Sequence, residues 1–487
     1  MLFNSYVFIF LFLPITLLIY FGLNKRRLVF VSLIWLVFAS LTYYGWQNPK
    51  YVLLITGSIV FNYTIGTWLR SRGRTGSIYK RKFALIAGIS GNLLLLGVFK
   101  YADFFISNVN SLAGLRTPLP HITLPVGISF FTFTQIAYLV DAGRGDAKRH
   151  TISVYALFVS FFPYLLAGPI IHHKELIPQF CRLEEKLLNH RNLNRGIYLF
   201  SLGLFKKLVI ADAFAGWVSN GFDHAVTLTF IEAWATSLSY MLQLYYDFSG
   251  YTDMALGTAL MFNIKLPINF DSPYQSSDIQ EFWRRWHITL GRFVRDYIYI
   301  PLGGSRISEA RTLLNLMVTF LLVGLWHGAG WTFVLWGGLH GAALAAHRLW
   351  KRCPVRMPKM LGWFLTFNFV NAAWVFFRAR TLKDAVRVLG GMAGMNGLVL
   401  PEALRGGLKS LQSVGVRFGE CLVHLGGGER TMGIILAGLL LCLLFRNSNE
   451  MVSRFKPDLI HLVFASVVAL ISILHLGSHS EFLYFRF

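Results

Sequence analysis

The stretch YVFIFLFLPITLLIYFGL, residues 6–23, runs for eighteen residues without a charged side chain. A helix rises about 1.5 Å per residue, so a run of this length nearly spans the hydrocarbon core of a bilayer. Lys25, Arg26 and Arg27 follow it at once, whereas a cleavable signal peptide carries its charges before the apolar stretch and small residues after it. The run therefore predicts an uncleaved first membrane span.

Runs of the same kind continue to the end of the chain. Of 487 residues, 55% are hydrophobic and only 14% are charged, whereas a soluble chain carries about a quarter charged residues. Strong runs lie at 28–46, 51–69, 83–99, 361–377, 431–445 and 459–476, and weaker ones lie at 124–140, 154–171, 196–210, 231–245, 313–325 and 331–346. This pattern predicts an all-α polytopic membrane protein with about 11–14 hydrophobic helices, some of them re-entrant.

The basic residues lie in loops that flank these runs. Three follow the first run, and six more crowd residues 70–82. Because lysine and arginine near span ends favour the cytoplasmic side, both loops are predicted to be cytoplasmic and the N-terminus to lie outside. Topology and contact with anionic lipids then explain the net charge of +23, and nucleic acid is not an expected partner.

The chain reads as one membrane domain, residues 1–487. No repeat of fixed period is visible, which disfavours a repeat-built transporter, and no long polar linker divides the sequence. The least hydrophobic stretches are 180–195, 263–311 and 382–430. The middle one is either cytoplasmic or folded back into a cavity, where irregular backbone is tolerated, and the last predicts a loop with a short amphipathic helix. The cysteines form no CxxC pair and indicate neither disulfides nor zinc.

Two histidines lie in dense aromatic and glycine settings. His287 belongs to EFWRRWHI, residues 281–288, and His327 belongs to GLWHGAGW, residues 324–331. An ionisable residue in an apolar helical block is a candidate functional residue, and imidazole suits proton abstraction from a hydroxyl near neutral pH. The alternative is a histidine at the membrane interface among belt tryptophans. For His340 and His347 we favour packing or hydrogen bonding.

Arg284 and Arg285 lie beside His287. A guanidinium pair holds phosphates in a bidentate manner, as an adenosine-phosphate donor would require, and with Trp283 and Trp286 the pair forms a candidate donor-binding segment. Ordinary anchoring of a basic loop is the alternative, favoured where nothing else bears on the pair. His172, His173 and Glu175 indicate a metal only weakly, since no matching cluster accompanies them, and we expect no metal site.

Six motifs together carry a resemblance to a known family. They are LPVGISFFTFTQIAYLVD (124–141), FFPYLLAGP (161–169), YDFSGYTD (246–253), WRRWH (283–287), LWHG (325–328) and WVFFR (374–378). In this order they resemble the membrane-bound O-acyltransferase family, and they are most similar to its bacterial branch of alginate O-acetylation proteins. Peptidoglycan O-acetyltransferases and the teichoic acid D-alanylation protein are relatives in that branch.

The resemblance implies a fold and a mechanism. The helices would form a ring around a central funnel in the bacterial inner membrane, with a donor entering from the cytoplasm. The family's signature histidine matches His327, implied as general base, and a second polar position matches His287, implied to orient or hydrogen-bond. The donor is acetyl-CoA in acetylating members and a carrier-protein thioester in the D-alanylating one, so acetyl-CoA is the expected substrate and no bound cofactor is expected.

The chain ends in the aromatic tail EFLYFRF, residues 481–487. A tyrosine after the last span is usually part of the interfacial aromatic belt. Similar endings in this branch imply a second interpretation, in which Tyr484 accepts the acyl group and relays it. The other expected acceptor is a partner protein, an extracytoplasmic SGNH-type acetyltransferase or similar relay, which then acetylates the polysaccharide.

Two rival functions remain open at this point. A transporter or flippase of an acylated or sugar-linked substrate would use the same helix ring, and a non-catalytic scaffold would recruit an extracytoplasmic transferase. Cleavage of a thioester separates the enzyme from the transporter, which needs none. The polymer stays undetermined, since alginate, peptidoglycan and cellulose acetylation all fit the sequence.

Overall fold

The computed structural model of the chain describes residues 1–72, 77–182, 186–477 and 482–483. Nearly all regular structure in these residues is helical, and the predicted all-α class is confirmed. The α-helices are α1 (Leu13–Lys25), α2 (Val29–Gly45), α3 (Lys50–Arg72), α4 (Ile78–Leu96), α5 (Ala102–Ala113), α6 (Ile128–Arg144), α7 (Ile152–Ser160), α8 (Phe162–Leu165), α9 (His173–Cys181), α10 (His190–Phe205), α11 (Asp212–Ser219), α12 (Phe230–Met261), α13 (Ile279–Arg285), α14 (Ile288–Val294), α15 (Glu309–His327), α16 (Trp331–Trp350), α17 (Lys359–Arg378), α18 (Leu382–Met392), α19 (Arg405–Leu408), α20 (Glu429–Leu444), α21 (Ser448–Ser453) and α22 (Leu459–Leu474).

Five described helices are long and apolar enough to cross a membrane. They are Val7–Lys25, Lys50–Ser71, Ile78–Ala113, Glu309–His327 and Lys359–Arg378. Three shorter apolar helices, Val29–Gly45, Arg430–Leu444 and Leu459–Leu474, accompany them. Their lipid-facing side chains are largely exposed in the isolated chain, as expected where lipid replaces water as the solvent. The protein is therefore a multi-pass membrane protein.

Two weaker runs differ from the sequence prediction. The run 154–171 is not one helix, because the chain turns at Phe161 between α7 and the short α8. Pro163 lies in the first turn of α8, where a residue without a backbone N–H is tolerated. The run 231–245 is the first half of the 32-residue α12. The helix continues through the polar motif 246–253, because its acidic residues are paired with lysines of a neighbouring segment.

That neighbouring segment lies at the C-terminal end of α10. α10 and α12 approach each other unusually closely, since a Cβ atom on Gly203 would lie only 2.5 Å from the carbonyl oxygen of Gly250. Small residues permit such backbone contact between membrane helices. α10 continues as a π-helical segment, Lys206–Ala211, and its first two lysines both reach acids of α12. The glycine contact therefore brings the lysines within bonding distance of buried carboxylates.

The polar stretch 263–311 folds back into the protein. The backbone carbonyl of Asn269 accepts a hydrogen bond from the Ile288 N–H at 3.0 Å, and the Asp271 N–H donates to the carbonyl of Arg285 at 3.0 Å. Asn269 and His287 are buried. The part of the stretch around these two residues is therefore packed inside the protein, and a cytoplasmic location of the stretch stays a prediction.

The last polar stretch contains the expected amphipathic helix, α18, which begins at a capping box between Thr381 and Asp384. A pair of three-residue parallel strands follows, β1 (Val399–Pro401) and β2 (Arg417–Gly419), with Leu400 opposite Phe418. Strands this short leave no alternating pattern, so the sequence did not predict them.

Candidate active site

His327 is the last residue of α15, at the turn of a tight helical hairpin with α16. A Cβ atom on Gly324 would collide with the carbonyl oxygen of Phe333, and one on Gly337 with that of Phe320. Glycine at both positions therefore allows the two helices to touch through their backbones. The hairpin holds His327 at a helix end whose position is fixed by packing against α16.

Lys100 and Tyr101 bind the C-terminal end of α15. The Lys100 ammonium donates to the carbonyl oxygens of Trp326 at 2.6 Å and His327 at 3.0 Å, and the Tyr101 hydroxyl donates to that of Leu325 at 2.8 Å. The last carbonyls of a helix have no partner within the helix and carry partial negative charge. A lysine is therefore a favourable cap here, and it fixes the main chain that carries His327.

The imidazole of His327 lies in a box of aromatic rings. Its centroid is 4.9 Å from that of Trp326, 5.2 Å from Trp336 and 5.1 Å from Phe377, each in an edge-to-face arrangement. Only 3% of the residue is exposed. Such contacts restrict the ring to one orientation and keep bulk water away from it.

His287 precedes α14 in a left-handed backbone conformation, with φ of 44°, which an ordinary residue adopts only under constraint. Its Nδ1 lies 3.1 Å from Oδ1 of Asn269. That oxygen also accepts from the backbone N–H of Thr289 at 3.2 Å, which identifies it as an acceptor. Nδ1 of the neutral His287 ring therefore carries the proton, and Nε2 is the basic nitrogen. Burial lowers the pKa of His287 to about 3, so the ring is neutral near pH 7.

The two histidines lie close together. Their ring centroids are 6.4 Å apart, and His287 also lies 6.4 Å from the ring of Trp326. The two imidazoles are therefore near enough to act on one bound substrate. The structure thus brings together the two candidate residues that the sequence proposed 40 positions apart.

A cavity opens beside His327. A small pocket of about 30 Å³ is lined by Lys100, residues 124–130, Leu166 and His327. A larger cavity of about 290 Å³ adjoins it, since Lys100 and Leu124 line both, and it reaches Phe333. A small acyl or hydroxyl group therefore has a space next to the imidazole.

The candidate donor-binding residues do not form one surface. Arg284 is exposed, whereas Arg285 bonds to Glu281 at 2.9 Å and to the carbonyl of Asp271 at 3.2 Å. Trp283 donates from Nε1 to Nδ1 of His340 at 3.2 Å. Donor binding by the four residues stays a prediction.

Trp286 is 2% exposed and packs against Phe282 and Trp374. Its position in the described residues is that of a core side chain. His340, bonded to Trp283, has the packing and hydrogen-bonding contacts favoured from the sequence.

The histidine pair 172–173 lies in a separate polar cluster. His172 bonds to the Tyr297 hydroxyl at 3.1 Å, and His173 is 3.5 Å from Asp141. Burial and the neighbouring His150 lower the pKa of His173 to about 4. Glu175 is engaged by Arg292, and within the described part of the chain no group of three His, Cys, Asp or Glu residues could hold a metal. The expectation of no metal site stays an expectation.

Sequence reasoning missed Lys100 and Asn269. Lys100 stands inside the apolar helix Ile78–Ala113, and a lysine within a membrane helix is a functional signal that could have identified it. Asn269 gave no such signal, because its contact with His287 depends on the folding back of the polar stretch.

Tyr484 lies outside the described residues. The two residues before it are described and buried: Phe482 is 1% exposed, and the Leu483 backbone N–H donates to Oδ2 of Asp247 at 3.0 Å. The chain just before Tyr484 is therefore held inside the protein.

Comparison with known proteins gives a family. The sequence model of MBOAT, the membrane-bound O-acyltransferase family, matches residues 128–380. The "Peptidoglycan O-acetyltransferase" of Helicobacter pylori is 45% identical over 520 aligned positions, which cover 100% of this chain and 98% of that protein. The "Probable alginate O-acetylase" of Pseudomonas aeruginosa is 41% identical over 85% of this chain and 78% of its own. The "Teichoic acid D-alanyltransferase" of Streptococcus thermophilus is 26% identical over 76% of this chain and 93% of its own.

Proposed function

This chain belongs to the membrane-bound O-acyltransferase family, and from that premise we propose that it is an acetyltransferase acting on an extracytoplasmic polysaccharide. The relatives that match most of the chain bear the names of O-acetyl transfer to peptidoglycan and alginate. Peptidoglycan is the first polymer to test, since that relative matches along the whole chain.

One observation supports the chemistry: two buried imidazoles lie with their ring centroids 6.4 Å apart, and one of them, His327, lines a small cavity. The pocket of about 30 Å³ at His327 and the cavity of about 290 Å³ beside it have room for a short acyl group. In our proposal His327 is the general base and His287 orients the acceptor hydroxyl through Nε2, the nitrogen that Asn269 leaves as an acceptor.

The donor in this proposal is a cytoplasmic thioester, taken to be acetyl-CoA. His327 removes the proton of an acceptor hydroxyl, and the oxygen attacks the acetyl carbonyl. An O–C bond forms and the C–S bond breaks. The departing thiolate takes up the proton from His327, so that free thiol and an acetyl ester are the products.

We propose Tyr484 as the first acceptor, with a partner transferase completing delivery to the polysaccharide. The support is its position directly after Leu483, whose backbone is bonded to Asp247. A phenol has a reference pKa of about 10 and needs a base to act as a nucleophile near neutral pH. If Tyr484 does not accept the acetyl group, a hydroxyl of the partner transferase is the acceptor in this scheme. An SGNH-type acetyltransferase outside the cytoplasm is the partner class that this scheme requires.

We also propose a cellular location and a membrane orientation for the chain. The chain would lie in the bacterial inner membrane as one domain, with its N-terminus outside and its donor face in the cytoplasm. Its support is the crowding of basic residues at 25–27 and 70–82.

The experiment supplies labelled acetyl-CoA to the purified protein and follows free thiol and protein-bound acetyl. We expect thiol release, and label on the C-terminal peptide of the wild-type chain but not of Tyr484→Phe, which keeps the ring and removes only the hydroxyl. Thiol release with no label on that peptide would transfer the acceptor role to a partner. No thiol release from any tested thioester would contradict the enzymatic function and favour a transporter.

A further inference from the structure

A buried cluster of three charges lies between α12 and the neighbouring segment 206–212, beside Phe482 and Leu483. Lys207 is 1% exposed, and its ammonium lies 2.7 Å from Oδ1 of Asp247 and 2.9 Å from Oδ1 of Asp212. Removing such charges from solvent costs free energy, which is offset only when the ions pair closely and their remaining oxygens and protons are hydrogen-bonded. The second carboxylate oxygen of Asp247 therefore needs a partner of its own.

The C-terminal tail supplies that partner. Oδ2 of Asp247 accepts the backbone N–H of Leu483 at 3.0 Å. The Phe482 ring lies edge-on to Tyr251, with centroids 4.9 Å apart, and the Lys207 ammonium lies 4.9 Å from the centroid of the Phe482 ring. Phe482 and Leu483 are thus held by a charged hydrogen bond, a cation–π contact and an aromatic contact at once.

We propose that Asp247, Lys207 and Tyr251 form a docking socket for the chain's own C-terminal tail and act as positioning residues for it. Asp247 is the link, since one of its oxygens holds Lys207 and the other holds the tail backbone. The bond to the Leu483 backbone and the contacts of the Phe482 ring together fix the position of these two residues.

The socket and the candidate active site share one turn of α12. Phe248 packs edge-on against His287 with centroids 4.9 Å apart, while Tyr251, three residues on, packs against Phe482. Residues at this spacing lie on the same side of a helix. If Tyr484 accepts the acyl group, which rests on the proposed function, the socket fixes the residue just before it relative to the histidines.

α12 also provides a matched control further along the helix. Asp253 is buried as well and also binds a lysine, Lys206, at 2.7 Å. Its second partner is the hydroxyl of Ser448, at 2.5 Å, in place of the tail. Asp253→Asn therefore disturbs a comparable ion pair on the same helix while leaving the bond to Leu483 intact.

The test uses the full-length protein, with its four cysteines replaced by alanine and Leu483→Cys added. A membrane-permeant maleimide then reports the exposure of position 483 through its reaction with the introduced thiol. Asp247→Asn should speed this labelling about tenfold or more, because a charge-assisted bond holds the tail. Asp253→Asn should leave the labelling rate within about twofold. Equal acceleration in both variants, or none in Asp247→Asn, would overturn the socket.

A second variant covers misfolding of Asp247→Asn. Phe482→Ala leaves the charges on α12 untouched and should also speed maleimide labelling at position 483, and an unchanged rate would contradict the proposal. Because labelling measures docking without turnover, its result is independent of acetyl transfer. If the tail is docked but Tyr484 is never acetylated, the docking proposal is supported and the acyl-relay role of Tyr484 is refuted.

Discussion

Two buried polar regions flank α12, and they handle charge in opposite ways. Around His287 and His327 the neighbours are aromatic rings, and the nearby cation, Lys100, binds main-chain carbonyls. Lys207, in contrast, bonds to two carboxylates. The charges of this cluster bond mainly to one another, which suits a structural role in holding Phe482 and Leu483. The buried, neutral His287 ring among aromatic neighbours suits hydrogen bonding to a substrate.

The largest expected effect comes from removing the base. His327→Ala should lower acetyl transfer by about 10²–10⁴-fold, the usual loss with a general base, while membrane insertion and tail docking persist. The measurement is thiol release from acetyl-CoA together with maleimide labelling at position 483. His340→Ala removes another buried imidazole, one that accepts from Trp283, and should keep most of its activity. Near-normal acetylation by well-folded His327→Ala would refute the assignment of His327 as general base.

An intermediate effect is expected at Lys100. Lys100→Met removes the hydrogen-bond donor of the Trp326 and His327 carbonyls, which should lower the free energy of unfolding by about 1–3 kcal/mol. Misplacement of the imidazole should also lower the specific activity about tenfold. Lys186→Met is the matched control, since this buried lysine contacts the Tyr20 hydroxyl. It should lose stability without losing activity per folded molecule, and an equal activity loss in both variants would deny Lys100 a positioning role.

The smallest effect is expected at the exposed arginine. If Arg284 touches donor phosphate, Arg284→Ala should raise the KM for acetyl-CoA about two- to fivefold with kcat unchanged, as for an exposed ion pair. Arg306→Ala, at another exposed arginine, should change neither constant. Arg285→Ala is less informative, because Arg285 bonds to Glu281 and the Asp271 carbonyl. An unchanged KM would return Arg284 to loop anchoring.

The sequence predicted the helical class, which is confirmed, because apolar length is a local signal. Ionisable residues in apolar settings are a local signal too, and they pointed to the two histidines that the structure brings together, whose catalytic role stays a prediction. It missed contacts that join distant parts of the chain. Lys100 reaches a carbonyl 227 positions away, and Asp247 reaches a backbone 236 positions away. Asn269 is closer to its partner, but only the folding back of its stretch brings the two together. Pairings of this kind depend on tertiary structure, which no local pattern encodes.

The position of Lys100 also limits which segments of this enzyme can be exchanged with another family member. The part of the chain that matches the family model, residues 128–380, holds both histidines and excludes the lysine that closes the end of α15. The socket likewise joins that part to residues 482–483. A chimera that exchanges only the family segment between two members would therefore combine the histidines of one member with the capping residue and the tail of the other. The natural unit for such an exchange includes the helix that carries Lys100 and the last residues of the chain.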